Sequence, residues 1–359
     1  MTNQGTPADA AGPDIGRGVD DEIVVGNQRV PLGWAGKAVI GACIAYTLFH
    51  IGVMYLYPLE PWVYRLIHVG GGLALGFLLF SSSKLTDAAQ ANPRDKLRLA
   101  LVAPGALAIL VAFAQAAGLF LGGPEVNAAA PKTAMAISFG WPLVLGTCWL
   151  IVLGWVMPDR QRGRIDIADL FLALAAATAA MYIIHHAPFL RMRAGTALAK
   201  DADMLAALAG TILILEMTRR LAGLALVIIA GIFILYSFVG PWLPGILQHR
   251  GYSLSRFFTY VYTDQGILGP TTAISSTYII LFVTFAAFLQ ASRVGEYFVN
   301  FAFAGAGHLR GGPAKVAVIG SGLMGMINGT SAGNVVATGS LTIPLMKKVG
   351  YKPQTAGAV

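Results

Sequence analysis

Charge is what this chain has least of. Asp, Glu, Lys and Arg make up 12% of its 359 residues, about half of the ~25% share in a soluble domain. Acidic groups run out altogether toward the end, where no Asp or Glu follows Glu296. Only Cys43 and Cys148 supply thiols, and both lie in apolar runs, so neither a disulfide framework nor a thiolate metal site is indicated. No nucleophile–base pair and no metal-ligand cluster stands out, so an enzyme is not expected. The first 30 residues hold almost no large apolar residue before Ile23 and lack the apolar core of a signal peptide. They are expected to form a disordered cytoplasmic tail, with the first apolar run acting as an uncleaved signal-anchor.

What is there is hydrocarbon: 56% of residues are hydrophobic and the mean hydropathy is +0.67. Apolar runs recur near 38–57, 62–82, 99–121, 134–157, 167–187, 203–218, 221–240 and 271–291. Each approaches the ~20 residues that a helix needs to cross a bilayer, so an all-α polytopic membrane protein with about 8 transmembrane helices is expected. The runs at 203–218 and 221–240 are parted only by Arg219 and Arg220, which leaves their boundary soft.

Loop charge sets the orientation. Arg17, Arg29 and Lys37 precede the first span, and Lys84, Arg94, Lys96 and Arg98 follow the second. Arg160, Arg162 and Arg164 follow the fourth, Arg219 and Arg220 the sixth, and Arg293 the eighth. All fall on one side if the N-terminus is cytoplasmic. The loop at 188–203 runs against this with Arg191, Arg193 and Lys200, partly offset by Asp201 and Asp203. The net charge of +8 is thus accounted for by cytoplasmic loops and calls for no nucleic acid.

The last fifth departs from the pattern. Apolar arms at 316–327 and 335–346 flank a polar centre, Asn328-Gly329-Thr330-Ser331-Ala332-Gly333-Asn334. Each arm is too short to span, and Lys315 with Lys347, Lys348 and Lys352 marks both outer ends. A re-entrant helical hairpin with its polar tip at membrane depth fits this spacing. The competing reading is one long helix packed through Gly325-x-x-x-Gly329-x-x-x-Gly333. With no acidic side chain near, a cation at the tip would meet carbonyls, hydroxyls and amides, which favours sodium over a proton relay. A helix beginning near Asn334 would point its positive end at the tip, suiting a substrate carboxylate. Thr338, Ser340 and Thr342 read first as ordinary interhelical hydrogen-bonding groups. Upstream, 294–310 reads as an interfacial helix between Glu296 and Arg310. The stretch 241–270, opened by Pro241 and Pro244, reads as an aromatic belt segment or a docking surface.

Three other signals compete. Gly320-x-Gly322-x-x-Gly325 mimics a dinucleotide fingerprint but lacks a βαβ unit and a downstream acid. His50, His68, His185 and His186 within spans raise a b-type haem electron-transfer protein, although neighbours such as His185 and His186 cannot ligate one iron from one helix. Glu216 with Arg219 and Arg220 has the spacing of a helix-end ion pair rather than a gate.

GHLRGGPAKVAVIGSGLMG at 307–325 and TSAGNVVATGSLTIPLMKKVGYKPQTAGAV at 330–359 resemble the first hairpin region of TRAP (tripartite ATP-independent periplasmic) transporter permeases. EMTRRLAGLALVIIAGIFILYSFVGPWLPGILQHRGYS at 216–253 resembles the fused-permease form that works with a TAXI-type receptor. The resemblance covers 167–359; residues 38–157 resemble the family only loosely. It implies sodium-coupled import of an organic anion across a bacterial inner membrane, delivered by a periplasmic receptor and moved by an elevator-like domain. The implied organisation is a tail at 1–37, a four-helix module at 38–157, scaffold helices with a periplasmic loop at 158–270, and a transport domain from 271 to 359. Ion binding would fall to Asn328, Gly329, Thr330, Ser331 and Asn334, with Gly333 and Thr338 beside the substrate and no other cofactor. The family more often has Ser-Gly-Ser where Asn328-Gly329-Thr330 stands, and Ala where Gly333 stands. Since the family's second hairpin would lie further on, the chain reads as a truncated or split permease needing a downstream-encoded remainder, or as a non-transporting fragment.

Overall fold

The apolar runs become helices, and their boundaries follow capping chemistry more than hydropathy. The computed structural model describes residues 26–85, 95–128, 132–196, 198–292, 294–326 and 331–359. Helix α1 spans Gly33–Tyr55, α2 Pro61–Leu79 and α3 Asp95–Ala128. A short α4, Lys132–Met135, leads through a π turn, Ala136–Gly140, into α5, Trp141–Val156. Then come α6 at Ile167–Arg193, α7 at Asp201–Ala222 and α8 at Leu224–Val239. Beyond them lie α9, Leu254–Val261, and α10, Pro270–Ile274, which passes through a second π turn, Ser275–Ile279, into α11, Ile280–Ala291. The remaining helices are α12, Val294–Ala306; α13, Gly312–Gly325; α14, Ser331–Lys348; and α15, Pro353–Ala358. An isolated antiparallel bridge between Gln28 and Phe80 is the β pairing among the described residues.

Among the described residues, seven helical stretches are long and apolar enough to cross a membrane: 33–55, 61–79, 96–122, 136–156, 167–193, 224–242 and 270–289. The chain is therefore an all-α, multi-pass membrane protein. The eighth expected span, 203–218, is the 22-residue α7, set apart by Asp201, Asp203, Glu216, Arg219 and Arg220. The soft boundary resolves beyond the arginines: the helix runs on through both and stops at Gly223, whose φ of +85° breaks the chain before α8. Likewise α6 continues to Arg193 through Pro188 instead of ending at 187. Asp166 caps its start, its side chain accepting from the Ala168 amide.

Residues 25–280 and 281–359 form two compact units. In the first, α6 and α7 contribute a run of buried alanines, among them Ala175, Ala176, Ala179, Ala206, Ala207 and Ala209. Small side chains let backbones approach closely where lipid gives no hydrophobic push between helices. A Cβ on Gly70 of α2 would stand 2.6 Å from the Ala180 Cβ of α6. One core runs through this unit from Trp62 to Leu268, drawing on residues from either side of position 157.

The tail expected to be unstructured to residue 37 is built from Gly26 onward. Arg29 N donates to the Leu79 carbonyl, Val30 N to Arg162 and Leu32 N to Gly163. This strap ties the chain to the loops after α2 and α5, and Arg29 is 2% exposed. The physical reason was invisible in composition: Arg29 is drawn inward by a buried carboxylate described below.

In the second unit α12 packs on α13 through Val299, Ala302, Ala306 and Val316. Ala317 of α13, Met346 of α14 and Ala356 of α15 form another small core.

Candidate functional site

Helices α13 and α14 settle the choice between a hairpin and a single rod. The Asn334 side chain donates through Nδ2 to the Ser321 carbonyl and to Ser321 Oγ, both at 3.1 Å. On one continuous helix these residues would be about 20 Å apart. The chain therefore folds back, and the contact of Ala317 with Met346 repeats the result farther from the turn. At 14 and 18 residues, the arms are about 21 and 27 Å long, short of a ~30 Å hydrocarbon core. Gly311, at φ +75°, turns the chain into α13, and Pro313 occupies its first turn.

Of the residues expected at the tip, Asn328, Gly329 and Thr330 lie outside the described residues. Ser331 begins α14 and Gly333 lies in its first turn. Asn334 bridges the two arms. Thr338 is buried, its hydroxyl donating to the Asn334 carbonyl at 2.7 Å, and Thr342 donates to the Thr338 carbonyl at 2.8 Å. These bonds are intrahelical, each hydroxyl back-bonding to the preceding turn. They leave the hydroxyl lone pairs as the available acceptors. Asn334, Thr338 and Thr342 rise along one face of α14, linked one to the next. Chemically this is a ladder of neutral oxygens, suited to a hard monovalent cation or to a hydrogen-bonding anion.

The charged residues of the first unit make a different arrangement. Asp169 of α6 lies between two arginines, with Arg29 Nη2 at 2.6 Å and Arg220 Nη2 at 2.9 Å. Arg220 also reaches Glu216 at 2.7 Å, and Arg219 reaches the same carboxylate at 2.8 Å. The ion pair expected from the 216–219–220 spacing is thus present, extended by partners that the local sequence did not reveal. Trp155 Nε1 donates to Glu216 Oε2 at 3.1 Å, and Arg220 Nη1 donates to the Phe80 carbonyl at 2.8 Å. Arg98 grips Asp166 through both terminal guanidinium nitrogens, Nη1 at 2.7 Å. Each carboxylate is matched by cations and donors, as burial in an apolar body demands. The cluster braces α2, α6, α7 and the strap.

At the opposite end of this unit a cavity of about 650 Å³ is lined by Glu60, Trp62, Arg65, Arg191, Asp264 and Gln265, among others. Glu60 caps α2 through the Trp62 and Val63 amides and pairs with Arg191. Partial burial pushes its carboxyl up, yet the Arg191 hydrogen bond and the two amides outweigh this and hold it below the usual carboxylate range. The Arg191 guanidinium also lies 4.8 Å from the Trp62 ring centroid.

The histidines do not form a haem site. His50 Nε2 and His68 Nδ1 are 2.9 Å apart and hydrogen-bonded to each other, with no space for an iron between them. His186 bonds to the Tyr182 carbonyl, and the His185 ring lies tilted against Phe120, their centroids 5.4 Å apart. The Gly320–Gly325 fingerprint lies within helix α13, not in a strand-to-helix turn. Cys43 and Cys148 are free thiols.

Residues 209–359 match the family described as the tripartite ATP-independent periplasmic transporter, DctM component. Over 77 residues the chain is 39% identical to the C4-dicarboxylate TRAP transporter large permease protein DctM of Pseudomonas aeruginosa. That alignment takes in 21% of this chain and 18% of the relative, so the chain spans under a fifth of the curated relative it matches. No solved structure matches the chain significantly. From residue 209 onward, hairpin included, the chain thus matches a family of membrane transporters and not of enzymes.

Proposed function

We propose that this chain is the permease component of a TRAP transporter for small organic anions, dicarboxylates foremost because the Pseudomonas relative carries that name. The observation that carries the reading is that the folded-back pair α13 and α14 falls inside the family match. In this reading the pair is a re-entrant hairpin, and residues 328–331, Gly333, Asn334 and Thr338 surround a sodium ion and one end of the carboxylate substrate. The absence of Asp and Glu after Glu296 supports sodium, since neutral oxygens hold it reversibly where a carboxylate would compete for protons. A soluble receptor of TAXI type delivers the anion at the outer face of a bacterial inner membrane. The first turn of α3 with Arg98 and the loop holding Arg160, Arg162 and Arg164 then face the cytoplasm together with the N-terminus. The elements from residue 271 onward belong to the moving part, and the helices before them form the scaffold.

Proteoliposomes containing the chain, with and without the cognate receptor and any downstream-encoded polypeptide, provide the test. Uptake of labelled dicarboxylate that requires both receptor and an inward sodium gradient is expected. Gradient-independent uptake removes the sodium assignment, and no uptake in any mixture removes the transporter reading.

A further inference from the structure

His50 of α1 and His68 of α2 meet inside the first unit and have no part in the function proposed above. Their hydrogen bonds fix which nitrogen carries hydrogen. His50 Nδ1 lies 2.7 Å from the Tyr46 carbonyl oxygen, which can only accept, so this nitrogen is the protonated one. In neutral His50 the other nitrogen, Nε2, is then an acceptor. Its partner 2.9 Å away is His68 Nδ1, which must donate. That leaves His68 Nε2 without hydrogen, accepting from Ser275 Oγ at 3.1 Å. The Tyr46 hydroxyl completes the set, donating to the His68 carbonyl at 2.7 Å with His68 Nδ1 at 3.0 Å from its oxygen. The chain therefore runs one way, from Ser275 through His68 and His50 to the Tyr46 carbonyl.

We propose that His50 and His68 form a site for a single proton, exchanged through Ser275. A proton arriving on His68 Nε2 forms an N–H bond there, while the Nδ1–H bond breaks and its hydrogen passes to His50 Nε2. His50 becomes the imidazolium, His68 returns to neutrality in its other tautomer, and one proton has been gained. The bond from His50 Nδ1 to the Tyr46 carbonyl keeps its direction, while the His50–His68 and His68–Ser275 bonds survive with theirs reversed, His50 Nε2 now donating to His68 Nδ1 and His68 Nε2 to Ser275 Oγ. A second proton would place hydrogens on both facing nitrogens 2.9 Å apart, so the pair holds one and only one.

The surroundings suit such a site. Tyr46 comes from α1 and Tyr64 from α2, the latter donating to the Ser276 carbonyl. Arg65, three residues before His68, turns away to donate to the Leu268 carbonyl at 2.7 Å. Among the described residues no carboxylate hydrogen-bonds either ring. Ser275 opens the π turn Ser275–Ile279, a helix irregularity often found at functional positions. Proton uptake converts its hydroxyl from donor to acceptor and frees the hydroxyl hydrogen for a carbonyl of its own helix. The proton thereby acts on the geometry of the turn that leads into α11.

The test is nitrogen NMR of the full chain in nanodiscs, with histidine labelled at both ring nitrogens and titrated across the histidine range. Signals are assigned by their loss in His50→Gln and His68→Gln. The two rings are expected to respond at one common midpoint, His50 becoming imidazolium as the His68 hydrogen moves from Nδ1 to Nε2. Ser275→Ala, a small change that keeps both rings, is expected to weaken proton binding roughly tenfold. Separate titration of both rings to imidazolium, no change in either ring, or an unaltered Ser275→Ala titration would each overturn the site.

Discussion

Between Gly26 and Ile280 the buried carboxylates are each paired with arginine. Asp169 lies between Arg29 and Arg220, Glu216 between Arg219 and Arg220, and Asp203 against Arg193. From Leu281 to Val359 the described buried polar groups are neutral and small, namely Thr338 and Thr342, with Asn334 half-buried beside them. Charges in a low-dielectric body are held in place by what it would cost to separate them. Neutral oxygens can gain or release a cation at small cost. The first region has the chemistry of a frame, and the second that of a reversible site.

The largest expected effect breaks the frame. Arg220→Ala takes one of two arginines from both Asp169 and Glu216, leaving Arg29 and Arg219 as their partners, and should cost up to about 3–5 kcal/mol, read as lost folded yield and a lowered thermal midpoint in detergent. Overpacking comes next. Gly70→Ala would force the Ala180 contact of 2.6 Å apart, an expected loss of ~1–3 kcal/mol, visible in the same melting curves. In the second region Asn334→Ala removes two hydrogen bonds across the hairpin, a loss of roughly 1–2 kcal/mol. Hydrogen exchange should quicken in 312–348 while 61–79 and 167–222 keep their protection.

The smallest effect concerns Glu60. Its folded carboxyl titrates below the unfolded value, so the stability it adds is present above the unfolded value and fades as pH falls through the folded one. With both side chains more than 40% exposed, solvent screens most of this. Glu60→Gln should slightly flatten the acid limb of a melting-temperature profile between about pH 3 and 5.

Much of the helical layout was legible because membrane spans are written in long apolar runs. The ends were not. α7 outlasts its hydropathy because Arg219 and Arg220 point to carbonyls just after α2 and to Asp169 on α6, and the residue that ends it is Gly223. The i, i+3 and i, i+4 spacing exposed the Glu216 pairs, whereas Arg29 and Asp169 are 140 positions apart and no local pattern could join them. The hairpin was legible from arm length and terminal lysines. Its cross-link was not, since nothing in the spacing singles out Ser321 as the partner of Asn334. His50 and His68 were visible as polar residues in spans, but only tertiary packing brings them to Ser275.

The most direct test of a sodium-binding hairpin is the thermal midpoint of the purified chain in sodium chloride against choline chloride at equal ionic strength. A ligand that binds only the folded state raises that midpoint with its concentration. The native chain should melt higher as sodium rises, and Asn334→Ala should show no such slope. Equal midpoints in the two salts, or a sodium effect that Asn334→Ala retains in full, would contradict the assignment.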